Sequence, residues 1–197
     1  MKQVNDFEKL IANYFNAPYA VATDCCTHAI ELCLRLIKPA STGCPKHTYP
    51  SIPMTFNKLN IPYVWTDELW ENYYYLNNTN IIDAAVYWKE NGYIPGTLMC
   101  VSFQFQKHLN LIRGGIILLD NLEQYNILNK MRYDGRDLSK PWREQDIDTM
   151  GYHYYMPPET AQLGIEKFQI IKDIPPKHWC YKEYPDISKM KVFRGAQ

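Results

Sequence analysis

The stretch VSFQFQKHLNLIRGGIILLD, residues 101–120, decides how this chain is read. An apolar run ends at Ser102 and a polar loop carries Lys107. Gly114-Gly115 then opens a second apolar run, GIILL. Apolar runs of this length bounded by Gly and polar residues are buried strands. On its own the segment is a long hairpin with a solvated lysine at its tip. A lysine amine is also the nucleophile that condenses with carbonyls once burial or neighbouring cations lower its pKa. Arg113 and His108 are candidate neighbours of that kind. The double glycine lets backbone come close to a ligand or another chain.

Working outward, strands and helices alternate. YAVAT (residues 19–23) is a short strand. DCCTHAIELCLRLIK follows as a helix with an apolar stripe of Ala29, Leu32, Cys33 and Leu36, Asp24 as cap and Pro39 beyond its end. A first helix covers VNDFEKLIANYFN, with Asn5 or Asp6 as cap. A strand end and loop at CPKHTYP lead to a helix after Pro50, and IPYVW is a strand. DELWENYYYLNN is irregular and aromatic, and TNIID is a strand ending in an acid. A helix over NLEQYNILNKMRY stops near Gly135, a polar loop follows, and PETAQLGIEKFQIIKD is a helix opened by Pro157 and Pro158. This order predicts an α/β layered fold over residues 1–173, with a Pro-rich tail, 174–197, packed on the surface.

In layered α/β folds ligands collect at the C-terminal ends of strands. Asp24 to Thr27, His47 to Tyr49, Asp83 and Ser102 all fall at such ends. Thr27 and its neighbours open a helix after a strand, where free N–H groups and a hydroxyl suit a phosphate; simple capping is the plain alternative. Asp83 is either a helix cap or a carboxylate that holds a protonated heterocycle nitrogen. Tyr49 is either a core tyrosine or a cover for one face of a planar cofactor.

Composition narrows the function classes. The 197 residues carry 21 Lys+Arg against 21 Asp+Glu, so no basic excess points to nucleic acid or an acidic membrane. The 16 tyrosines and five tryptophans suit a pocket or a subunit contact as well as plain packing. The six cysteines form no CxxC pair, which is a reduced, intracellular pattern without a metal site. No apolar run approaches the ~20 residues of a membrane span. A cytoplasmic protein is expected.

Five segments resemble, in the same order, the DegT/StrS family of sugar aminotransferases. VATDCCTHAI is similar to that family's SGT helix entry, PKHTY to its PxxTF segment and IDAAV to its EDAAQ. SFQFQKHLNLIRGG is similar to SFxxxKxLxxGxGG, and GYHYYMPPETAQLGIEKF to GxNxRMxExxAAxGxxQL. The likeness runs from about Phe7 to about Phe168. It implies a minimal three-layer, aspartate aminotransferase-like large domain binding pyridoxal 5'-phosphate. It implies that Lys107 is the Schiff-base lysine and proton shuttle, that Asp83 pairs with the pyridinium nitrogen, and that Tyr49 stacks on the ring. By the same resemblance Cys26, Thr27 and Ser102 hold the phosphate. His153 stands where the family's asparagine reaches the phosphate from the second subunit, which implies a homodimer with a shared site. The implied reaction moves an amine, with glutamate as donor, onto a keto sugar linked to a nucleotide. The chain departs from the pattern at Cys26 (family glycine), Val86 (glutamine) and Tyr155 (arginine). It also matches no N-terminal arm and no C-terminal small domain. Those departures raise the alternative of a catalytically degenerate binding or regulatory subunit. Dehydration of the sugar is a further rival, weakened because the family's dehydratases carry histidine where Lys107 stands.

Overall fold

The computed structural model describes residues 2–194. Strands β1 (Tyr19–Thr23), β4 (Tyr74–Tyr75), β5 (Ile81–Asp83), β6 (Leu98–Ser102) and β7 (Gly115–Leu119) form one sheet in the order β1-β7-β6-β5-β4. Only β5 and β6 run parallel; the other three pairings are antiparallel. β6 and β7 are buried at every position, as their unbroken apolar runs require. Strands β2 (Thr42–Pro45) and β3 (Tyr63–Thr66) make a separate parallel pair.

Helices cover both faces. α1 (Lys2–Phe15) turns Val4, Phe7, Ile11 and Phe15 inward at spacings of three and four, and packs with α5 (Pro158–Ile171) on one face. Gly164 makes that contact possible: a Cβ there would stand 2.5 Å from the Phe7 ring. α2 (Cys26–Ile37), α3 (Ser51–Lys58) and α4 (Leu122–Met131) line the other face with Ala29, Leu32, Cys33, Phe56 and Leu128. This is the expected α/β layering. Asn121 caps α4 by accepting from the Gln124 N–H at 3.0 Å.

Several local expectations change. α1 already includes Lys2, so neither Asn5 nor Asp6 caps it. The N-cap of α2 is Cys25, whose side chain makes no capping bond. Asp24 is occupied elsewhere, by Arg113 at 2.5 Å and His28 at 2.6 Å. The aromatic stretch after β3 contains an ordered strand, β4, because Tyr74 pairs directly opposite Asp83. The tail beyond α5 is stitched to the fold: Ile187 and Phe193 are buried, and three short 3₁₀ turns run from Tyr181 to Phe193.

Candidate active site

The sheet register brings the site together at one edge. Thr23 at the end of β1 pairs with Gly115, and Gly115 with Ser102 at the end of β6. Asp83 ends β5, parallel and adjacent to β6. Three strands thus deliver polar C-terminal ends to one rim, with Gly115 at the start of β7 between two of them.

Gly115 has a definite job there. A Cβ on it would lie 2.5 Å from the Cys26 amide nitrogen. The glycine therefore seats the N-terminus of α2 against the sheet; the close backbone approach it permits is to the chain's own helix. Cys25, Cys26 and Thr27 line the cavity with this uncapped helix end, and the Thr27 hydroxyl donates to Ser51 Oγ at 2.9 Å. Amide groups at a helix start attract anions. Cys26 in place of a glycine leaves the amide available and adds a buried thiol, which burial holds in its neutral form.

The cavity holds about 250 Å³ and is lined by Cys26, Thr27, Tyr49, Asp83, Ser102 and Lys107. Six of the seven predicted site residues therefore meet in one place. Ser102 is buried, and its oxygen accepts from the Gln104 N–H at 3.3 Å, which leaves the hydroxyl proton for a ligand. Tyr49 is 61% exposed beside the cavity, so its ring is free to cover something flat and does not belong to the core.

Lys107 is not at a solvated hairpin tip. The loop after β6 folds back on itself through Lys107 N–H to Gln104 O (2.8 Å), Leu111 N–H to Phe103 O (2.9 Å) and Phe105 N–H to Ile112 O (3.2 Å). This turn carries the half-buried lysine into the cavity wall. Burial lowers its pKa, and the Asp83 carboxylate partly restores it. The two proposed cationic neighbours are engaged otherwise. Arg113 pairs with Asp24, and His108 lies against Trp88 and the Ile171 carbonyl. Loss of water, not a nearby positive charge, weakens the proton on Lys107.

Asp83 caps no helix. Its Oδ1 accepts from the Ala85 N–H at 3.0 Å and its Oδ2 from the Tyr74 hydroxyl at 2.6 Å. Tyr74 in turn shares a 2.5 Å bond with Thr48 Oγ1. Burial raises the pKa of Asp83; the two donors and Lys107 oppose that rise. Tyr74 is the residue that sequence reasoning missed. Its signal is an aromatic at the first position of a strand opposite the acid, which only the register reveals.

His153 is not at this cavity. It is 69% exposed, pairs with Asp134 at 2.9 Å and lies edge-on to Tyr155. Tyr155, which departs from the arginine of the resembled pattern, bridges to Thr23 and packs on Tyr133. Val86 lines the cavity as an apolar wall.

An amine, a buried carboxylate, a helix start without a side-chain cap and an exposed aromatic thus share one cavity. The DegT/DnrJ/EryC1/StrS aminotransferase family model matches residues 1–50 and 85–177, and the chain belongs to that family. No curated protein sequence matches. Among solved structures, AtS13 from Actinomadura melliaura superposes with a TM-score of 0.78 at 18% identity, over 88% of this chain and 61% of that one. The sugar aminotransferase CalS13 from Micromonospora echinospora gives 0.71 at 13% identity, over 88% and 62%. A variant of GDP-4-keto-6-deoxymannose-3-dehydratase (ColD) with bound GDP-perosamine gives 0.69 at 16%, over 87% and 61%. These likenesses establish the fold. The chain spans about three fifths of each of these structures. No helix among the described residues is long and apolar enough to cross a membrane.

Proposed function

We propose that this chain is a pyridoxal 5'-phosphate-dependent aminotransferase acting on a keto sugar. The observation that carries the reading is the joint presence of half-buried Lys107 and buried Asp83 in one cavity with the uncapped start of α2. The residues fit the cofactor: an anion site at Cys26, Thr27 and Ser102, a flat cover at Tyr49, and an acid at Asp83 for a ring nitrogen. Bound there, the cofactor would supply an aldehyde carbon for amines and a ring that takes up electron density. Lys107 Nζ would be the nucleophile and then the base that moves a proton at the reacting carbon. Asp83 would keep the ring nitrogen protonated, and Tyr74 would hold Asp83 in place. Residues 1–173 would form the cofactor-binding domain and 174–197 a tail.

The finer assignments rest on the family and its neighbours. A nucleotide-linked sugar is favoured by the GDP-sugar bound to ColD. Glutamate as amino donor and a homodimer follow from the family resemblance. In such a dimer His153, exposed on its own subunit, would reach the site of the second copy. A cytoplasmic location accompanies that assignment.

The test is to add the cofactor, reduce with borohydride and map the modified peptide. Modification at Lys107, absent in Lys107→Ala, is expected; cofactor fixed elsewhere, or none retained, sinks the reading. The departures at Val86 and Tyr155 favour a second reading, a binding or regulatory subunit. Conversion of bound cofactor to its amine form by glutamate separates the two, since a pure binding subunit would not carry it out. A strictly monomeric protein at micromolar concentration would contradict the shared site.

A further inference from the structure

The tail from Trp179 to Tyr184 lies outside the residues that match the family model, as does the segment 51–84. The tail is held by that segment and by the neighbouring Lys46 and His47. The Asn72 N–H donates to the Trp179 carbonyl at 2.8 Å, and the Trp179 N–H donates back to Asn72 Oδ1 at 3.1 Å. The Tyr181 N–H donates to the Trp70 carbonyl at 3.1 Å. His47 Nδ1 and the Tyr184 carbonyl are 2.8 Å apart, and the Ile187 N–H donates to the Lys46 carbonyl at 2.9 Å. Five bonds to backbone and a buried Ile187 fix this strap.

What the strap covers is the site. Tyr184 lines the cavity, its ring 5.4 Å from that of Trp70. Trp179 lies beside Ser102, Lys107 and Val86 in a small adjoining crevice, and the Lys107 ammonium stands 5.4 Å from its ring centre. Lys177 lies over the same ring at 3.9 Å. A cation over indole is attracted to the ring, and an amine beneath it is hidden from water.

We propose that the strap Trp179–Tyr184 is a working wall of the active site, in which Trp179 shields and positions the Lys107 amine and Tyr184 bounds the space left for the ligand. The proposal rests on the reading of Lys107 as the reactive amine of the site. Trp179 is a positioning residue, because it acts through the lysine. Asp83 from β5 and Cys26 from α2 act on the Lys107 charge, Lys177 lies across the indole, His108 shares the crevice and Cys25, Tyr49, Tyr74 and Tyr184 share the cavity; Arg113 at the cavity rim is paired with Asp24.

The experiment uses the full chain without added cofactor, so it does not depend on cofactor binding. Each lysine is labelled with the bulky reagent trinitrobenzenesulfonate and, in parallel, with small acetic anhydride, and peptides are quantified by mass spectrometry. In the wild type Lys107 should label at least several-fold more slowly with the bulky reagent than exposed Lys182. Trp179→Ala should raise the bulky-reagent rate at Lys107 several-fold and the small-reagent rate much less, while Trp179→Phe stays near wild type. Should Trp179→Ala fail to fold, Asn72→Gly serves instead: Asn72 has φ +58°, which glycine adopts freely, and the change removes the side-chain ties to Trp179 and His178. Wild-type Lys107 labelling as fast as Lys182, or unchanged rates in folded variants, overturns the proposal. A protein that shows the shielding and still binds no cofactor would instead overturn the functional reading.

Discussion

Two buried carboxylates show what separates scaffold from site. Glu8 on α1 meets its cation directly: its Oε1 accepts from the Ala22 N–H at 2.7 Å and from the Arg132 guanidinium, which also donates to the Ala22 carbonyl at 2.8 Å. This clasp ties α1, β1 and the end of α4 together away from the cavity lining. Asp83 is as well buried, but it has only an amide and a phenol as direct partners. Its cation, Lys107, stands off across a cavity. The first acid touches its cation; the second faces a cavity and does not.

The largest break in this comparison comes at the clasp. Arg132→Met strands Glu8 in a dry interior, and stability to urea should fall by about 3–5 kcal/mol. Replacing both partners by leucine should recover much of that loss, because no charge is left buried. A recovery near zero would mean the pair also does work that packing cannot replace.

At the site, Tyr74→Phe removes the O–H donor from Asp83. A hydrogen bond to a charged group contributes about 1.5–3 kcal/mol, so the carboxylate should become harder to ionise. A carbon NMR titration of labelled aspartates should show the Asp83 pKa moving further up, with cofactor affinity falling in step. An unmoved titration would remove Tyr74 from the site.

Asp83→Asn should act in the opposite sense to Arg132→Met. Burial raises the folded pKa of Asp83 above its unfolded value, so its ionised form costs stability at neutral pH. The asparagine protein without cofactor should therefore gain roughly 1 kcal/mol at pH 7 while retaining cofactor poorly. The gain should shrink as pH falls through the raised pKa toward 3.8, because both proteins are then neutral there. A gain that persists at acid pH would point to packing rather than charge.

The smallest effect is expected at His28, half-buried against Tyr154 with ring centres 3.7 Å apart. Burial opposes its charge, yet hydrogen bonds to Asp24 and Cys25 raise its pKa to about 9. That contribution is complete below 6.5 and fades as pH rises through 9. His28→Gln should flatten the alkaline limb of the stability curve by about 1 kcal/mol or less.

The α/β order and the cavity-lining residues were legible because strands and helix starts announce themselves locally. GIILL and YAVAT have no other plausible use than buried strands, and polar residues at their ends share a rim once the sheet forms. His47 and Tyr155 were harder: their roles depend on the tail and on Tyr133, far away in sequence. Tyr74 sat in an aromatic run with no periodicity, and only pairing with Asp83 distinguishes it from its neighbours. Asp24 looked like a cap because its position is that of one; long-range pairing with Arg113 won. The strap was invisible as a wall, since nothing local in a Pro-rich tail says where it docks.

That strap also has a temporal meaning. Asn72 and Trp179 are 107 residues apart, and His47 and Tyr184 are 137 apart. Contacts of such separation close late, after the local helices and strands have formed. On the ribosome the helix end, the acid and the lysine all emerge before the residues that cover them. The nascent chain therefore passes through a stage with its cavity open, and a segment made after the site residues is the one that shuts it.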